Sequence, residues 1–302
     1  MASILKLIKN PAKIVYVFDK IGISKLIPDK TYLKLKYRAN FERKLNLKDP
    51  KAYSEKLQWL KLYDRNPEYT NMVDKYEAKK YVAERIGVEY IIPTLGVWDS
   101  VDDIDFDSLP DQFVLKCTHD CDSIVICRDK SQLNVEEAKK KLDKALKSNF
   151  YYLFREWPYK NVKPRIIAEK YLEDSSTGEL RDYKFFGFNG KIKIMLICSN
   201  RQTAVKVDFY NKDFEHLDCR LVYPNSPEEI KKPETYDKMW ELAEKLSKDL
   251  TLIRVDFYEV NGKTYFGELT FFPAAGFGKF EPQKWDYTFG DWTTLPSEKT
   301  TE

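Results

Sequence analysis

The chain has 302 residues, of which 51 are basic and 48 acidic, and its formal net charge is +3. A chain of this length can bury a substantial core in about two or three lobes. Its dense but mixed charge excludes the one-sided basic surface of a nucleic-acid-binding protein, and no apolar run is long enough for an ordinary transmembrane helix.

The N-terminal stretch, residues 2–17, alternates lysines with apolar side chains and is interrupted by Pro11. It lacks a secretory cleavage site, so we expect a cytoplasmic protein. Two interpretations of the stretch stay open, an amphipathic helix packed on its own domain or a segment in peripheral contact with the inner face of the membrane. Residues 1–40 as a whole are predicted to be basic and irregular.

Several stretches have the periodicity of regular elements. Apolar residues at helical spacing predict helices over 51–64, with Ser54 as the N-cap, and over 72–87, which ends at Gly87. Further helices are predicted over 134–148 and 235–250, and strands over 113–127, 165–172 and 182–195.

Two local clusters suggest ligand chemistry without matching a known kind of site. Residues 101–110 are acidic and contain an Asp-x-Asp pattern, which we interpret as a solvated loop. Cys117, Cys121 and Cys127 lie near His119, but their spacing matches no familiar zinc site and a fourth ligand is missing. The odd number of cysteines, five, fits reduced thiols.

Residues 254–270 form two alternating runs around Asn261-Gly262, which predicts a β-hairpin with acids on both strands. A two-residue turn would pair Asp256 with Gly267 and bury Glu268 among apolar side chains, which is costly for a carboxylate. We therefore expect a three-residue loop with Gly262 in a G1 bulge.

That register sorts the hairpin into two faces. One is apolar and contains Ile253, Val255, Phe257, Tyr265, Leu269 and Phe271, and the other contains Arg254, Asp256, Tyr258, Phe266, Glu268 and Thr270. The second face could hold Mg²⁺, which prefers oxygen ligands. The residues alone leave another interpretation open, an antiparallel sheet with one solvated polar face.

Lysines and acids recur in an ordered series of blocks, at residues 54–61, 74–76, 81–82, 113–117, 155–159, 166–172, 182–185, 254–256 and 266–271. Their order along residues 53–296 resembles the ATP-grasp superfamily and, within it, the TupA-like ATP-grasp proteins of bacterial surface-polysaccharide loci. The resemblance implies an α+β ATP-grasp fold, in which two lobes with mainly antiparallel sheets clasp a nucleotide, preceded by an N-terminal helical extension. The corresponding division is 1–95 for the N-terminal helical region, 96–165 for the small lobe and 166–302 for the large lobe with the metal site.

The resemblance implies ATP as a cofactor. Its predicted contacts come from several separate blocks, namely Lys75, Lys116, His119, Ser123, Glu169, Tyr171, Leu172 and Lys184. Lys116 and Lys184 would contact the phosphates, and strand 169–172 would hold the adenine through main-chain hydrogen bonds.

Mg²⁺ is the second cofactor that the resemblance implies. Asp256 and Glu268 would hold it, with Thr270 where many relatives have an asparagine. Arg254 and Lys184 are the predicted catalytic residues, and Arg254 would stabilise an acyl phosphate or the transferring phosphoryl group.

The chain departs from the family pattern in two places. Loop 118–123, which should cover the phosphates, contains no glycine and carries two aspartates that would repel a triphosphate. Lys79 stands where relatives tend to have arginine, which keeps the charge and loses the bidentate geometry.

The implied function is an ATP-dependent ligase that joins a carboxylate to an amine through an acyl phosphate, on a bacterial surface polysaccharide or its precursor. Three alternatives stay open: a glycan phosphotransferase at the same ATP site, a glycosyltransferase of a capsule locus, and a nucleotide-binding scaffold or pseudo-enzyme. The expected partner is a small-molecule or glycan substrate, which a lipid could carry, and no nucleic acid. Arg155, Arg165 and Arg201 are candidates to hold a substrate carboxylate.

Overall fold

The computed structural model describes residues 10–175, 180–200 and 204–297. Its first sheet contains β1 (Thr94–Trp98), β2 (Phe113–Cys117), β3 (Val125–Cys127) and β4 (Ile166–Lys170). The strand order is β1–β4–β2–β3, and all neighbours are antiparallel. β4 therefore lies inside this small sheet, and the boundary that the sequence placed after residue 165 assigns one of its strands to the wrong lobe.

The second sheet is larger and begins directly after the segment that follows β4. Its strands, with those of a separate two-stranded pair, are β5 (Asp182–Phe188), β6 (Lys191–Ser199), β7 (Lys206–Tyr210), β8 (His216–Leu217), β9 (Arg220–Leu221), β10 (Leu252–Val260), β11 (Lys263–Thr270) and β12 (Phe280–Glu281). The large sheet has the order β11–β10–β5–β6–β7–β8, and β9 pairs with β12. Antiparallel pairing throughout agrees with the predicted sheet type.

The helices are α1 (Ile14–Lys20), α2 (Asp29–Phe41), α3 (Tyr53–Tyr63), α4 (Glu68–Val73), α5 (Glu77–Ile86), α6 (Val135–Leu146), α7 (Tyr151–Phe154), α8 (Tyr236–Ser247) and α9 (Lys284–Trp292). Short 3₁₀ turns lie at Pro11–Lys13, Ile23–Leu26, Val88–Tyr90, Val101–Asp103, Lys130–Gln132, Trp157–Asn161 and Pro273–Gly276. The N-terminal region is therefore helical from residue 11, and the prediction of irregular structure there was wrong. None of the described helices has the length and apolarity needed to cross a bilayer.

Two helix boundaries differ from the predicted ones because side chains cap the helices in unpredicted ways. α3 begins at Tyr53, and Glu55 Oε2 accepts hydrogen bonds from the N–H groups of Lys51 (3.0 Å) and Ala52 (3.2 Å), so Ser54 is not the cap. The predicted helix 72–87 is interrupted at Asp74, whose Oδ1 accepts the N–H of Tyr76 at 2.8 Å and starts α5.

Each sheet buries one face under a helix. In the large sheet Phe185 and Phe257 are fully buried, and Phe185 packs edge-on against Trp240 of α8 with ring centroids 5.8 Å apart. Each fully buried phenylalanine contributes about 2 kcal/mol of hydrophobic stabilisation. In the small sheet Phe113 and Leu115 pack with Leu142 of α6 in a separate cluster. The opposite faces of the two sheets are left to form a site.

The hairpin of β10 and β11 has a two-residue turn, so the predicted three-residue loop was wrong. Val260 pairs with Lys263, and Asn261 and Gly262 both have positive φ, 50° and 71°, as in a type I′ turn. A β-bulge further from the turn shifts the strand pairing by one residue, which the loop with an even number of residues does not do. Asp256 pairs with Glu268 while the next pair is Phe257 with Phe266, which leaves Gly267 as the extra residue.

The bulge places Asp256 and Glu268 on one face, directly opposite each other. The sequence predicted the same face for both acids, but from a three-residue loop. Between the bulge and the turn, Tyr265 and Phe266 lie on the faces opposite to those predicted. Phe266 pairs with Phe257 and is 5% exposed, so it belongs to the buried face, whereas Tyr265 pairs with Tyr258. A shift of the strand pairing by one residue moves each side chain to the other face of the sheet, and the sequence pattern alone did not locate the residue that causes the shift.

Candidate nucleotide and metal site

A cavity of about 260 Å³ lies between the two sheets. Val114, Lys116 and Glu169 line it from the small sheet, because alternate residues and cross-strand partners share one face. Ile126 of β3 and Lys170 of β4 also line it from the small sheet, and Tyr258 of β10 lines it from the large sheet. The segments between strands contribute Ile92, Ile124, Arg128, Tyr171, Leu172, Glu173 and Leu180. Apolar walls with one charged end suit a flat heteroaromatic ring attached to an anionic group.

Glu169 organises the charged end of the cavity. Its carboxylate pairs with Lys116 Nζ at 2.5 Å and with Lys79 Nζ at 2.6 Å, and its side chain is only 6% exposed. Burial alone would raise the pKa of Glu169, but the two lysines outweigh it and lower the pKa below the usual value. The ionised glutamate therefore holds two ammonium groups beside the cavity, one of which was the predicted phosphate contact.

The segment that follows β4 forms the rim of the cavity. β4 ends at Lys170, so Tyr171 and Leu172 lie beyond the end of the strand, and both line the cavity. The Arg128 guanidinium carbon lies 5.9 Å from the centre of the Tyr171 ring. The structure thus brings together four of the predicted nucleotide contacts, Lys116, Glu169, Tyr171 and Leu172.

Three other predicted nucleotide contacts hold the glycine-free loop 118–123 in place and do not line the cavity. His119 is 2% exposed, and its Nε2 bonds the carbonyl of Ala145 in α6 at 3.0 Å. Ser123 Oγ accepts the N–H of Cys117 at 2.8 Å and donates to Asp120 Oδ1 at 2.6 Å. Lys75 Nζ donates to the carbonyl of Asp120, and burial lowers its pKa. Side chains, in place of glycine backbone, hold this loop.

The acid pair lies on the face of β10 and β11 opposite the one that packs against α8, and Arg254 bridges it. Arg254 Nε donates to Asp256 Oδ1 at 2.6 Å, and Nη2 donates to Asp256 Oδ2 at 2.7 Å and to Glu268 Oε1 at 2.6 Å. Thr270 Oγ1 donates to the same Glu268 oxygen at 3.1 Å. All four predicted residues of this face therefore meet in one network.

Lys184 joins the network from the neighbouring strand β5, because it is the cross-strand partner of Asp256. Its Nζ pairs with Asp256 Oδ2 and lies 3.4 Å from Asp182 Oδ1. Burial would lower the pKa of Lys184, but Asp182 and Asp256 raise it above the usual value. Lys184 is therefore charged and anchored on the same face as Arg254.

Glu268 is the accessible carboxylate of the pair. Its side chain is 40% exposed, whereas that of Asp256 is 1% exposed. Burial acts to raise the pKa of Glu268, but Arg254, Lys184 and Lys75 lower it to about 2. Burial raises the pKa of Asp256 in spite of Arg254 and Lys184, which act to lower it. Glu268 is thus ionised throughout the neutral range and open to a further cation.

The donors on this face fit Mg²⁺ when a nucleotide supplies the remaining ligands. Within residues 10–175, 180–200 and 204–297 no group of three or more His, Cys, Asp or Glu side chains could hold a metal alone. Asp256 and Glu268 provide adjacent carboxylates and Thr270 a hydroxyl, and Mg²⁺ in nucleotide sites needs only one or two carboxylates besides phosphate and water. The same result excludes the zinc cluster that Cys117, Cys121 and Cys127 suggested.

Sequence reasoning assigned no role to Glu156, which is 5% exposed. Its neighbours place it near the C-terminal end of β11. Lys61 Nζ links the carbonyls of Phe154 (2.9 Å) and Ala275 (2.7 Å), and Trp157 stacks on Tyr69, which stacks on Phe271. Burial raises the pKa of Glu156 against the effects of Lys61 and Arg254. The block 155–159 contained this residue, and the signal was a glutamate directly before Trp157 in a stretch rich in aromatic residues.

Two of the three candidate arginines for a substrate carboxylate have partners within the protein. Arg155 is 2% exposed, pairs with Asp29 at 3.0 Å and donates to the carbonyl of Ser24 at 2.5 Å. Arg165 Nη2 donates to Asp74 and Glu77, both at 2.8 Å. Arg201 lies outside the described residues.

Two antiparallel sheets, a cavity with a charged end between them and an acid pair on the larger sheet define the ATP-grasp fold, as the order of motifs predicted. The family model described as TupA-like ATPgrasp matches residues 55–294. The chain belongs to this family. The comparison with curated proteins gave no match.

Solved structures with a similar fold include ligases. The D-alanine–D-alanine ligase of Helicobacter pylori is 15% identical with a TM-score of 0.43, over 80% of this chain and 69% of that one. The Bacillus anthracis D-alanine–D-alanine ligase complexed with ATP is 18% identical with a TM-score of 0.39, over 67% of this chain and 54% of that one. The chain thus spans about half the length of the second ligase. A RimK domain ATP-grasp protein from Sphaerobacter thermophilus is 9% identical with a TM-score of 0.42, over 76% of this chain and 70% of that one.

Proposed function

We propose that the chain is an ATP-dependent ligase that joins a carboxylate to an amine through an acyl phosphate. The observation that carries the proposal is the position of Tyr258 and Asp256, two residues apart on one face of β10. Tyr258 lines the cavity and Asp256 pairs with Glu268, so the apolar cavity leads to the acid pair along one strand. A nucleotide with its base in the cavity would direct its phosphates towards that pair.

The cations of the site would stabilise the charge that moves during phosphoryl transfer. Lys116 would meet the phosphates at the charged end of the cavity, and Lys184 and Arg254 would act at the acid pair. Asp256, Glu268 and Thr270 would hold Mg²⁺, which supplies further neutralisation of phosphate charge when bound. The Arg254 guanidinium, which contacts both carboxylates, is the group best placed to turn towards an acyl phosphate.

Amide formation also requires a group that removes a proton from the attacking amine. Glu156 suits this role because it is buried beside the end of β11 and its raised pKa favours proton acceptance near neutral pH. We expect Glu156→Gln to lower kcat by about a hundredfold or more while the affinity for Mg-ATP changes little. Steady-state kinetics with nucleotide titrations measure both, and the exposed Glu136→Gln is the matched control. A loss confined to ATP affinity would contradict the role.

The substrate class that we propose is a bacterial surface polysaccharide or its precursor, an inference from the family resemblance alone. The test is to analyse the nucleotide products of the purified protein with Mg-ATP and glycan fractions that supply acids and amines. We expect ADP and phosphate only when both substrates are present, and loss of both products in Lys184→Met. Lys193→Met, an exposed lysine on the adjacent strand β6, is the control and should retain activity.

Other products in the same assay would assign the site to a different reaction. Phosphate retained on the glycan would identify a phosphotransferase, since that reaction uses the same cations. UDP released from a nucleotide sugar would identify a glycosyltransferase. Either result, or ADP release that does not depend on the amine, would contradict the ligase.

A further inference from the structure

Large apolar side chains are exposed together near the N-terminus. We define the N-terminal apolar patch as Tyr16, Val17, Ile21, Ile23 and Leu26, which are 37%, 41%, 61%, 46% and 84% exposed. The other exposed large apolar residues of the described chain are distributed between residues 76 and 287. These five residues lie within one α-helix and the turn after it, and exposed apolar residues grouped in this way mark interaction sites.

The patch is the outer side of an element whose inner side is already packed. Ala12 and Val15 are buried in a cluster with Tyr32, Leu33 and Tyr37 of α2. Packing on the domain therefore accounts for one side of α1. On the other side, Lys36 Nζ lies 4.5 Å from the centre of the Tyr16 ring, and the rest of the patch stays exposed. The sequence allowed either a packed helix or a membrane-contacting segment, and the structure shows one packed and one exposed side of α1.

The charge around the patch is positive. Residues 10–30, the described part of this region, contain four lysines and two aspartates, a net charge of +2. Asp19 pairs with Lys36, and Asp29 pairs with Arg155 at 3.0 Å, so both acids are neutralised internally. Lys20, Lys25 and Lys30 are exposed and form no ion pair with the described residues.

We propose that the N-terminal apolar patch and its surrounding lysines dock the protein on the surface of an anionic phospholipid bilayer. Aliphatic side chains enter the boundary between head groups and acyl chains, and lysines at the same level meet lipid phosphates. The short helix α7 lies close to these lysines, because the Tyr152 ring lies 5.2 Å from Lys25 Nζ. The proposal concerns a surface separate from the cavity and does not depend on nucleotide chemistry.

The test is co-sedimentation of the full chain with vesicles, without ATP. One set contains phosphatidylcholine alone and the other contains phosphatidylcholine with phosphatidylglycerol. We expect binding to the mixed vesicles only, and weaker binding at high salt because exposed charges are screened. Lys20→Glu with Lys25→Glu should weaken binding by about tenfold or more, since each basic residue near an anionic surface contributes appreciably.

An apolar double variant, Ile21→Ser with Leu26→Ser, should also abolish sedimentation with the mixed vesicles. The matched control is Val222→Ser with Tyr223→Ser, which removes side chains of similar exposure, 61% and 47%, elsewhere on the molecule. All substituted positions are exposed, so circular dichroism should show unchanged folding. Equal loss in the control pair would contradict the proposal.

Three further results would overturn it. One is binding that is equal for neutral and anionic vesicles. Another is a dimer in sedimentation equilibrium that Ile21→Ser with Leu26→Ser dissociates, which would assign the patch to a second copy of the chain. The last is vesicle binding that begins only after residues 1–9 are removed, which would show that this segment covers the patch.

Discussion

Glu169 is the residue on which the charged end of the cavity depends. Its carboxylate lies 2.5 Å from Lys116 Nζ and 2.6 Å from Lys79 Nζ, and the three side chains are between 6% and 16% exposed. A buried ammonium group without a partner is costly, because little water reaches it. Loss of the carboxylate leaves two such groups close together.

We expect Glu169→Gln to lower the free energy of unfolding by about 3 kcal/mol near neutral pH, measured by urea denaturation. The matched control is Glu241→Gln on α8, which also has two lysine partners, Lys238 and Lys245, but lies on the surface. The control should leave stability near that of the wild type, because exposed ion pairs contribute little. Equal effects in the two variants would contradict the role of burial.

The pH dependence of this effect follows from the direction of the pKa shift. The folded-state pKa of Glu169 is lowered below its ordinary value of 4.5, so its stabilising contribution is present above that value. The contribution is lost as pH falls through the lowered pKa, where the wild-type carboxyl becomes neutral like glutamine. The stabilities of wild type and Glu169→Gln should therefore converge in acid, and a constant difference would contradict this account.

The charged residues of the site could be predicted from sequence, whereas their partners could not. Strand alternation places Lys116 with Glu169 and Asp256 with Glu268, because side-chain direction in a strand is fixed by position. The bridge by Arg254 and the contact of Lys75 with the carbonyl of Asp120 in loop 118–123 depend on rotamers and on contacts between distant elements. His119 illustrates the difference, since its position in the loop was predicted and its bond to Ala145 was not.

The β10–β11 hairpin shows how one turn sets the register of the acid pair. Gly262 has φ of +71°, a conformation that side chains with a Cβ rarely adopt. We expect Gly262→Ala to lower the free energy of unfolding by about 1 kcal/mol. Gly262→Asn adds the same Cβ but a residue that tolerates the left-handed region, so it should cost less. Thermal or urea denaturation measures both variants. Equal losses would assign the effect to the close approach of the added Cβ to the Glu234 side chain instead.

The existence of this hairpin was predictable and its register was not. Asn-Gly between alternating runs indicates a tight turn, and Asn189-Gly190 between β5 and β6 behaves in the same way. The bulge at Gly267 left no such signal, because a glycine inside a strand is compatible with several distortions. An added Cβ at Gly267 would lie 3.1 Å from the carbonyl oxygen of Asp256, which explains a glycine there.

At the scale of the whole molecule, Asp286 joins the two ends of the described chain. This carboxylate of α9 accepts the N–H and the Oγ of Ser54, both at 2.8 Å, and an Nη2 hydrogen of Arg43 at 3.0 Å. It is 4% exposed. The N-terminal helices, α3 and α9 are thus connected by one buried group, which no local sequence pattern could indicate.

We expect Asp286→Ala to lower the free energy of unfolding by about 3 kcal/mol, because it leaves Arg43 and the Ser54 groups without their buried acceptor. Asp291→Ala, at an exposed position of the same helix, should change stability little. Denaturation followed by both fluorescence and circular dichroism measures the effect. If Asp286→Ala lowered the free energy of unfolding as little as Asp291→Ala does, the chain ends would be held by apolar packing alone.

The division into lobes was implied by the family resemblance, and the structure contains two separate larger sheets. Its boundary was misplaced because β4 pairs with β1 and β2, which are distant in sequence, while the next element, β5, belongs to the other sheet. Only tertiary pairing distinguishes these two consecutive strands. The cavity lies at that transition, where Tyr171 and Leu172 leave the small sheet.

Thermal unfolding in the presence of Mg-ATP tests the central claim, a nucleotide site between the two sheets, most directly. The wild type should be stabilised progressively, by about 2.7 kcal/mol at a hundred times the dissociation constant. Each variant is compared with its own unfolding temperature without nucleotide. Lys116→Met should lose most of the shift, and the shift of Glu268→Gln should no longer depend on Mg²⁺. Lys193→Met should behave like the wild type. No shift at millimolar Mg-ATP, or an equal shift in Lys116→Met, would contradict the claim.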